Sequence, residues 1–116
     1  MKRRYVLILL FCIVPLTVSA WFMTGEERDQ LSVDAGIEAI RSGNYAEAFN
    51  QLIPLAKEGN PEAQYNMGWL YANGFGAGVD VPTAVYWWKK AAASNHAASQ
   101  FSLGMVYLTG DGKTIK

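Results

Sequence analysis

Side chains that could perform catalysis are few in this 116-residue chain, and they are scattered along it. His96 is the only histidine, and one imidazole cannot supply the three or four ligands that a zinc site needs. The serines lack a nucleophile-elbow context, and without a nearby histidine none has a base to activate it. After residue 20 they are Ser32, Ser42, Ser94, Ser99 and Ser102. The sequence therefore predicts no catalytic residue, no metal site and no cofactor, and it gives His96 a structural role.

Two further patterns could in principle handle a charged group. The glycine-rich segment 74–78 is similar to a phosphate-binding loop, but such a loop follows a strand, whereas this segment follows a predicted helix. Glu26, Glu27 and Asp29 could act as paired acid and base. We interpret the first pattern as a turn and the second as part of a solvated linker over residues 21–30.

The N-terminus has the three regions of a secretory signal. A cationic start over residues 1–4 leads into an apolar run over 5–14, and small side chains precede Ala20. We expect a signal peptide over residues 1–20, cleaved after Ala20. The alternative is an uncleaved anchor that extends to Met23, because the apolar stretch then just reaches the length of a membrane span. The first interpretation makes the protein periplasmic or exported, and the second anchors it to the inner membrane facing the periplasm.

The charge balance changes if this segment is removed. Residues 1–20 contain the only cysteine, Cys12, and three of the ten basic residues. The rest of the chain carries seven basic and ten acidic side chains, which gives a net charge of about −3. A weakly acidic domain without clustered Lys and Arg is a poor candidate for nucleic-acid binding. Without Cys12 there is neither disulfide nor thiolate chemistry.

The chain repeats itself with an offset of 36 residues. The matched pairs are Gln64 with Gln100, Gly68 with Gly104, Tyr71 with Tyr107, and Leu52 with Trp88. One unit is long enough for a pair of helices. Gly68 and Gly104 would let helix backbones approach closely, with Trp88 and Tyr71 filling the space beside them.

Helical spacing of apolar residues recurs after the linker, and no stretch alternates as a strand would. Asn60 precedes Pro61 as an N-cap precedes the first helical position, and Asp80 marks the next helix start. Gly59 and Asn95 occupy equivalent places that suit a left-handed turn. The predicted helices cover residues 29–42, 44–58, 61–73, 81–94 and 97–109.

These residues resemble the Sel-one-like repeat, a longer relative of the tetratricopeptide repeat. Its pattern is carried by Gln64, Gly68, Tyr71, Gly74, Gly76, Asp80, Ala84, Trp87, Lys90, Ala91 and Ala92, and it restarts at Gln100, Gly104, Tyr107, Gly110 and Gly112. The resemblance implies an all-α fold, a short right-handed α/α solenoid of about five helices. Within a repeat domain over residues 31–116 we expect a partial unit (31–60), a full unit (61–96) and a truncated unit (97–116).

The resemblance also implies a binding surface, because the first helix of each unit lines the concave side in this family. The candidate surface consists of Tyr65, Asn66, Trp69 and Asn73 in one such helix and Phe101 and Met105 in the next. Aromatic side chains dominate interface hot spots and methionine adapts to varied partners, so we expect these residues to bind another protein. The alternative is that they only pack between adjacent repeats.

Leu103, Val106 and Tyr107 form a second candidate surface. In a complete unit a second helix would cover these apolar side chains, and the truncated unit does not supply it. Terminal repeats normally need a polar cap. We expect a partner protein, or a second copy in a homodimer, to cover them. A truncated gene is the rival interpretation.

The resemblance implies a non-catalytic adaptor or scaffold that binds another protein of the bacterial envelope. Some exported relatives are immunity proteins that neutralise secreted phospholipase effectors, which is a sharper form of the same role. The alternatives from other classes are a weak hydrolase and a truncated remnant without function. His96 as the single histidine argues against the hydrolase.

Overall fold

The computed structural model describes residues 23–109, and this part of the chain is all α-helical. The helices are α1 (Gly25–Arg41), α2 (Tyr45–Glu58), α3 (Pro61–Asn73), α4 (Val81–Ala93) and α5 (Ala97–Thr109). Packing joins α2 to α3, α3 to α4 and α4 to α5, so from α2 onward helices that are neighbours in sequence are neighbours in space. The predicted all-α helical-repeat architecture is confirmed.

The predicted signal peptide and almost all of the alternative anchor fall on residues 1–22, which lie outside the described part of the chain. Between residues 23 and 109, no helix is both long enough and apolar enough to cross a bilayer.

The first helix begins at Gly25, four residues before its predicted start, so part of the predicted linker is helical. A reciprocal capping box explains the difference. The Thr24 hydroxyl accepts from the Glu27 amide at 3.2 Å, and the Glu27 carboxylate accepts from the Thr24 amide at 2.8 Å. The capping-box signature Thr-x-x-Glu is present in the sequence. The acidic cluster that was interpreted as part of a linker therefore belongs to the first turns of α1.

Helix starts repeat with the 36-residue offset. The Asn44 side chain accepts from the Glu47 amide at 3.3 Å, and Asp80 accepts from the Thr83 amide at 3.1 Å in the equivalent place. Each bond satisfies one of the backbone donors that a helix N-terminus leaves free. The Asp80 carboxylate also accepts from the Thr83 hydroxyl at 2.6 Å.

The second pair of caps uses two different side chains for one task. Asn60 Oδ1 accepts from the Ala63 amide at 2.9 Å, and His96 Nδ1 accepts from the Ser99 amide at 3.3 Å. The predicted structural role of His96 therefore takes a definite form: its ring nitrogen caps α5.

Left-handed backbone separates the repeat units where the sequence predicted it. Gly59 has φ +105° and Asn95 has φ +62°. Glycine adopts this region without steric cost, and asparagine tolerates it better than most residues with a Cβ. The pair therefore reverses the chain at equivalent points of successive units.

The core lies along the seams between successive helices. Its fully buried members include Val33, Leu52, Met67 and Leu70. Gly36 lies directly beneath the Leu52 side chain, and Gly68 lies directly beneath the Trp88 indole, so a Cβ at either glycine would overlap the ring or branch above it. The predicted close approach at Gly68 is confirmed.

The two glycine contacts have the same packing arrangement, but the number of residues between the glycine and its covering side chain differs. Leu52 and Trp88 are 36 residues apart, whereas Gly36 and Gly68 are 32 apart. The connection from α1 to α2 spans residues 42–44, four residues shorter than the connection over 74–80. The shorter loop accounts for the four-residue difference. Because of it, a comparison of the sequence with itself at an offset of 36 residues does not pair Gly36 with Gly68.

Candidate functional site

An apolar groove of about 320 Å³ lies between α3, α4 and α5. Its lining comprises Ala72, Val81, Trp88, Phe101, Ser102, Met105, Val106 and Thr109. Phe101 is 71% exposed and Met105 is 43% exposed. Solvated apolar side chains of this size beside a cleft are typical of a surface that binds something else.

The groove separates the six predicted binding residues into two groups. Phe101 and Met105 line it. Tyr65 and Trp69 are half-buried, with the Trp69 ring 5.3 Å from that of Phe75 and the Tyr65 ring 5.2 Å from that of His96. Trp69 also packs against the hydrophobic core. The two α3 rings thus make contacts within the repeats, as the alternative interpretation expected.

The two asparagines of the predicted surface bond to their own helix. Asn66 Nδ2 donates to the Glu62 carbonyl at 2.9 Å, and Asn73 Nδ2 donates to the Trp69 carbonyl at 2.8 Å. Each Nδ2 carries a second N–H, so these bonds leave both side chains with further donor capacity.

Six of the eight lining residues were not among the predicted binding residues, and three of these six, Ser102, Val106 and Thr109, belong to α5. Ala72, Val81 and Trp88 form the α3 and α4 walls of the groove. The 36-residue offset gave no signal for them, because the equivalent of Ala72 is Leu108, which is not among the lining residues. Trp88 was predicted only as a packing residue, and it also lines the groove.

The second predicted surface divides in a similar way. Tyr107 is 64% exposed, whereas Leu103 and Val106 are half-buried. Val106 turns toward the groove. Leu108, which is not one of the predicted residues, is 68% exposed beside Tyr107.

Gly104 corrects an expectation about packing. The sequence predicted a close helix approach there as at Gly68, yet a Cβ at Gly104 would have no neighbouring atom of residues 23–109 within 4 Å. In α3 the matching space is filled by Trp88, which belongs to the following helix.

A histidine and a serine do lie together, contrary to the expectation that no serine has a nearby base. His96 Nδ1 and Ser99 Oγ are 3.0 Å apart. Ser99 is fully buried, and the same ring nitrogen accepts the Ser99 amide, so the contact is part of a helix cap. A nucleophile must reach its substrate, which this hydroxyl cannot do. Within residues 23–109, no three His, Cys, Asp or Glu side chains are grouped as a metal site.

The hydrogen bonds at the N-cap of α4 shift the pKa of Asp80. Hydrogen bonds from the Thr83 hydroxyl and then from the Thr83 amide lower the pKa of Asp80, because both donors stabilise the carboxylate. Asp80 precedes Val81, which lines the groove, so this cap also holds one wall in place.

A comparison with protein families agrees with the boundaries of the helical units. The family model described as the Sel1 repeat matches residues 61–96 and 97–116. The first match begins at Pro61, where α3 begins, and it ends at His96, the cap of α5.

Proposed function

Because the chain is a Sel1-like repeat protein, and such repeats are generally protein–protein interaction modules, we propose that it is a non-catalytic adaptor that binds another protein. The binding site is the groove between α3, α4 and α5. The observation that carries this proposal is the exposure of Phe101, 71%, beside Met105 at the groove. Burying a phenylalanine side chain stabilises a complex by about 1.5–3 kcal/mol.

The chemistry of the groove specifies the kind of partner. Among residues 23–109, no charged side chain lines it, and Ser102 and Thr109 supply the hydroxyl groups of the lining. Thr109 already donates its hydroxyl to the Met105 carbonyl at 2.8 Å. An apolar anchor side chain from a protein segment suits such a lining, and a charged metabolite does not, because its charge would lose water without gaining a partner.

We place this activity in the bacterial envelope. The proposal rests on the cationic start, apolar run and small residues before Ala20 in the sequence. Cell fractionation with mass measurement of the N-terminus tests it: an exported, processed protein begins at Trp21, and an anchored one is intact in the inner membrane. Recovery from the cytoplasm with residues 1–20 attached contradicts the proposal.

Site-specific photo-crosslinking tests the adaptor role. A photoreactive benzoyl-phenylalanine replaces Phe101 in one variant and Tyr86 in the control. Tyr86 is a half-exposed aromatic residue on α4, beside the Lys90 ammonium and outside the groove lining. Irradiation in the native cell is expected to give a discrete adduct from position 101 that is absent from position 86.

A second variant ties the adduct to the groove. Met105→Glu introduces a charge into the apolar lining at a site exposed enough to leave folding intact, and it is expected to abolish the adduct. Identical adducts from both positions, or none from position 101, contradict the proposal. The immunity version is supported only if the captured protein is a secreted phospholipase whose activity falls on binding.

A further inference from the structure

Sulfur side chains are few in this protein, and after Cys12 all of them belong to methionines. These are Met23, Met67 and Met105. A thioether is apolar and polarisable, and oxidants convert it into a sulfoxide, which is polar. Any sulfur-based response of residues 23–109 to an oxidant is therefore a response of a methionine.

The methionines differ in their access to solvent. Met67 is fully buried in the core, whereas Met105 is 43% exposed and lines the groove. Trp69, which lies 36 residues before Met105, keeps partial exposure although α4 follows its helix and Phe75 lies against its ring. A following helix therefore leaves this position open to an oxidant in solution, while the core keeps the oxidant from Met67.

The groove around Met105 is poor in hydrogen-bond donors. The Trp88 indole N–H already donates to the Tyr65 carbonyl at 3.1 Å, and the Thr109 hydroxyl donates to the Met105 carbonyl at 2.8 Å. Among residues 23–109, Ser102 has the only other side-chain donor of the lining. A hydrogen-bond acceptor placed at position 105 therefore finds few partners within the groove.

We propose that Met105 is an oxidation site that controls the groove, with hydrogen peroxide as the oxidant. The Met105 sulfur attacks one oxygen of the peroxide, so that a sulfur–oxygen bond forms and the oxygen–oxygen bond breaks. The sulfur is oxidised to the sulfoxide. The departing hydroxide takes up the proton of the transferred oxygen and leaves as water, so the peroxide is reduced. Methionine sulfoxide reductases return the sulfoxide to the thioether, which makes the change reversible.

Oxidation closes the groove to an apolar anchor side chain. The sulfoxide oxygen is solvated while the groove is empty, and an entering apolar side chain removes that water without replacing its hydrogen bonds. The reduced thioether has no such requirement. This regulation rests on the adaptor proposal because it concerns the same groove, whereas the oxidation itself needs no partner.

The chemical step is tested on the purified full-length protein. Hydrogen peroxide is added, samples are quenched at intervals, and their peptides are analysed by mass spectrometry for the gain of an oxygen atom. Met105 is expected to oxidise at least about tenfold faster than Met67, because the folded core excludes the peroxide. Equal rates at the two positions in the folded protein overturn the proposal.

Photo-crosslinking from position 101 measures the consequence for binding. Treatment of the cells with hydrogen peroxide before irradiation is expected to lower the yield of the adduct about tenfold. Met105→Leu keeps the groove apolar and cannot form a sulfoxide, so its adduct should survive the treatment. Met105→Gln introduces an uncharged polar group and should lower the yield without any peroxide.

Met23 provides the matched control. It is a half-buried methionine outside the groove lining, and Met23→Leu should leave the effect of peroxide unchanged. A peroxide-induced loss of adduct that persists in Met105→Leu overturns the proposal, as does an unchanged adduct yield from protein whose Met105 is oxidised. Absence of the adduct before peroxide treatment is the failure of the adaptor proposal, and the regulation then falls with it, whereas the oxidation rates of the purified protein are measured independently.

Discussion

The indole nitrogen of Trp88 donates a hydrogen bond to the backbone carbonyl of Tyr65, 3.1 Å away in the neighbouring helix. The same ring covers Gly68, so one side chain provides both close packing and a directional bond between α3 and α4. Trp88 also forms a wall of the groove. The stability of the repeat and the shape of its candidate binding site therefore depend on the same residue.

Replacing Trp88 separates these two contributions. Trp88→Phe keeps an aromatic ring and loses the bond to Tyr65, and we expect it to lower the free energy of unfolding by about 1–2 kcal/mol. Trp88→Ala also leaves a cavity, and we expect a loss of about 3–5 kcal/mol. Urea denaturation measures both. Equal losses for the two variants would show that the hydrogen bond, and not the ring, dominates.

One substitution at two equivalent positions should have opposite effects. Gly68→Ala forces a methyl group into the Trp88 ring and should destabilise the protein by about 1–3 kcal/mol. Gly104→Ala places its methyl group where no atom of residues 23–109 lies within 4 Å, and it should stabilise α5 by up to about 1 kcal/mol, because alanine favours helix more than glycine does. Thermal unfolding by circular dichroism gives the sign of each change. A destabilised Gly104→Ala variant would mean that other atoms pack against Gly104 in solution.

The left-handed turns make a paired prediction. Gly59→Ala puts a Cβ at φ +105° and should cost about 1–2 kcal/mol of folding free energy. Asn95→Gly, at φ +62°, should cost nothing because glycine adopts this region freely. Denaturation midpoints compare the two variants with the parent. Equal destabilisation by both would argue that the Asn95 side chain has a role besides its backbone angle.

The Asp80 cap makes stability depend on pH. Its pKa is lowered in the folded protein by the Thr83 hydroxyl and amide, so its contribution is fully present above the unfolded pKa of about 3.9 and is lost as pH falls through the folded value. Asp80→Ala should therefore lower the melting temperature at neutral pH, with a deficit that shrinks in acid. Asp80→Asn, which keeps an acceptor, is the control. A deficit that grows toward low pH would contradict this account.

Local signals determined the elements to a large extent. The bounds predicted for α3 and α5, 61–73 and 97–109, match the structure, and that for α4 differs by one residue. Caps and left-handed turns depend on a few adjacent residues, so the sequence carries them directly. The start of α1 was missed because the Thr24 capping box was not recognised, although it too is a local signal.

The candidate sites were only partly predictable. Phe101 and Met105 came from the helical wheel and do line the groove, but the wheel placed Trp69 on the same surface. In the structure the Trp69 ring lies against Phe75 instead, a residue of the loop after α3. Where a loop returns against a helix depends on its length and on the contacts it finds, which no periodicity reports.

Gly68 and Gly104 show which properties the sequence alone determines and which depend on the tertiary structure. The sequence alone determined that both glycines sit at the same point of the same kind of helix, since capping and periodicity are set by nearby residues. Only the tertiary structure decided that Trp88 covers Gly68, whereas no side chain of the described residues covers Gly104. Burial depends on what another helix places there, and the residues around a glycine do not contain that information.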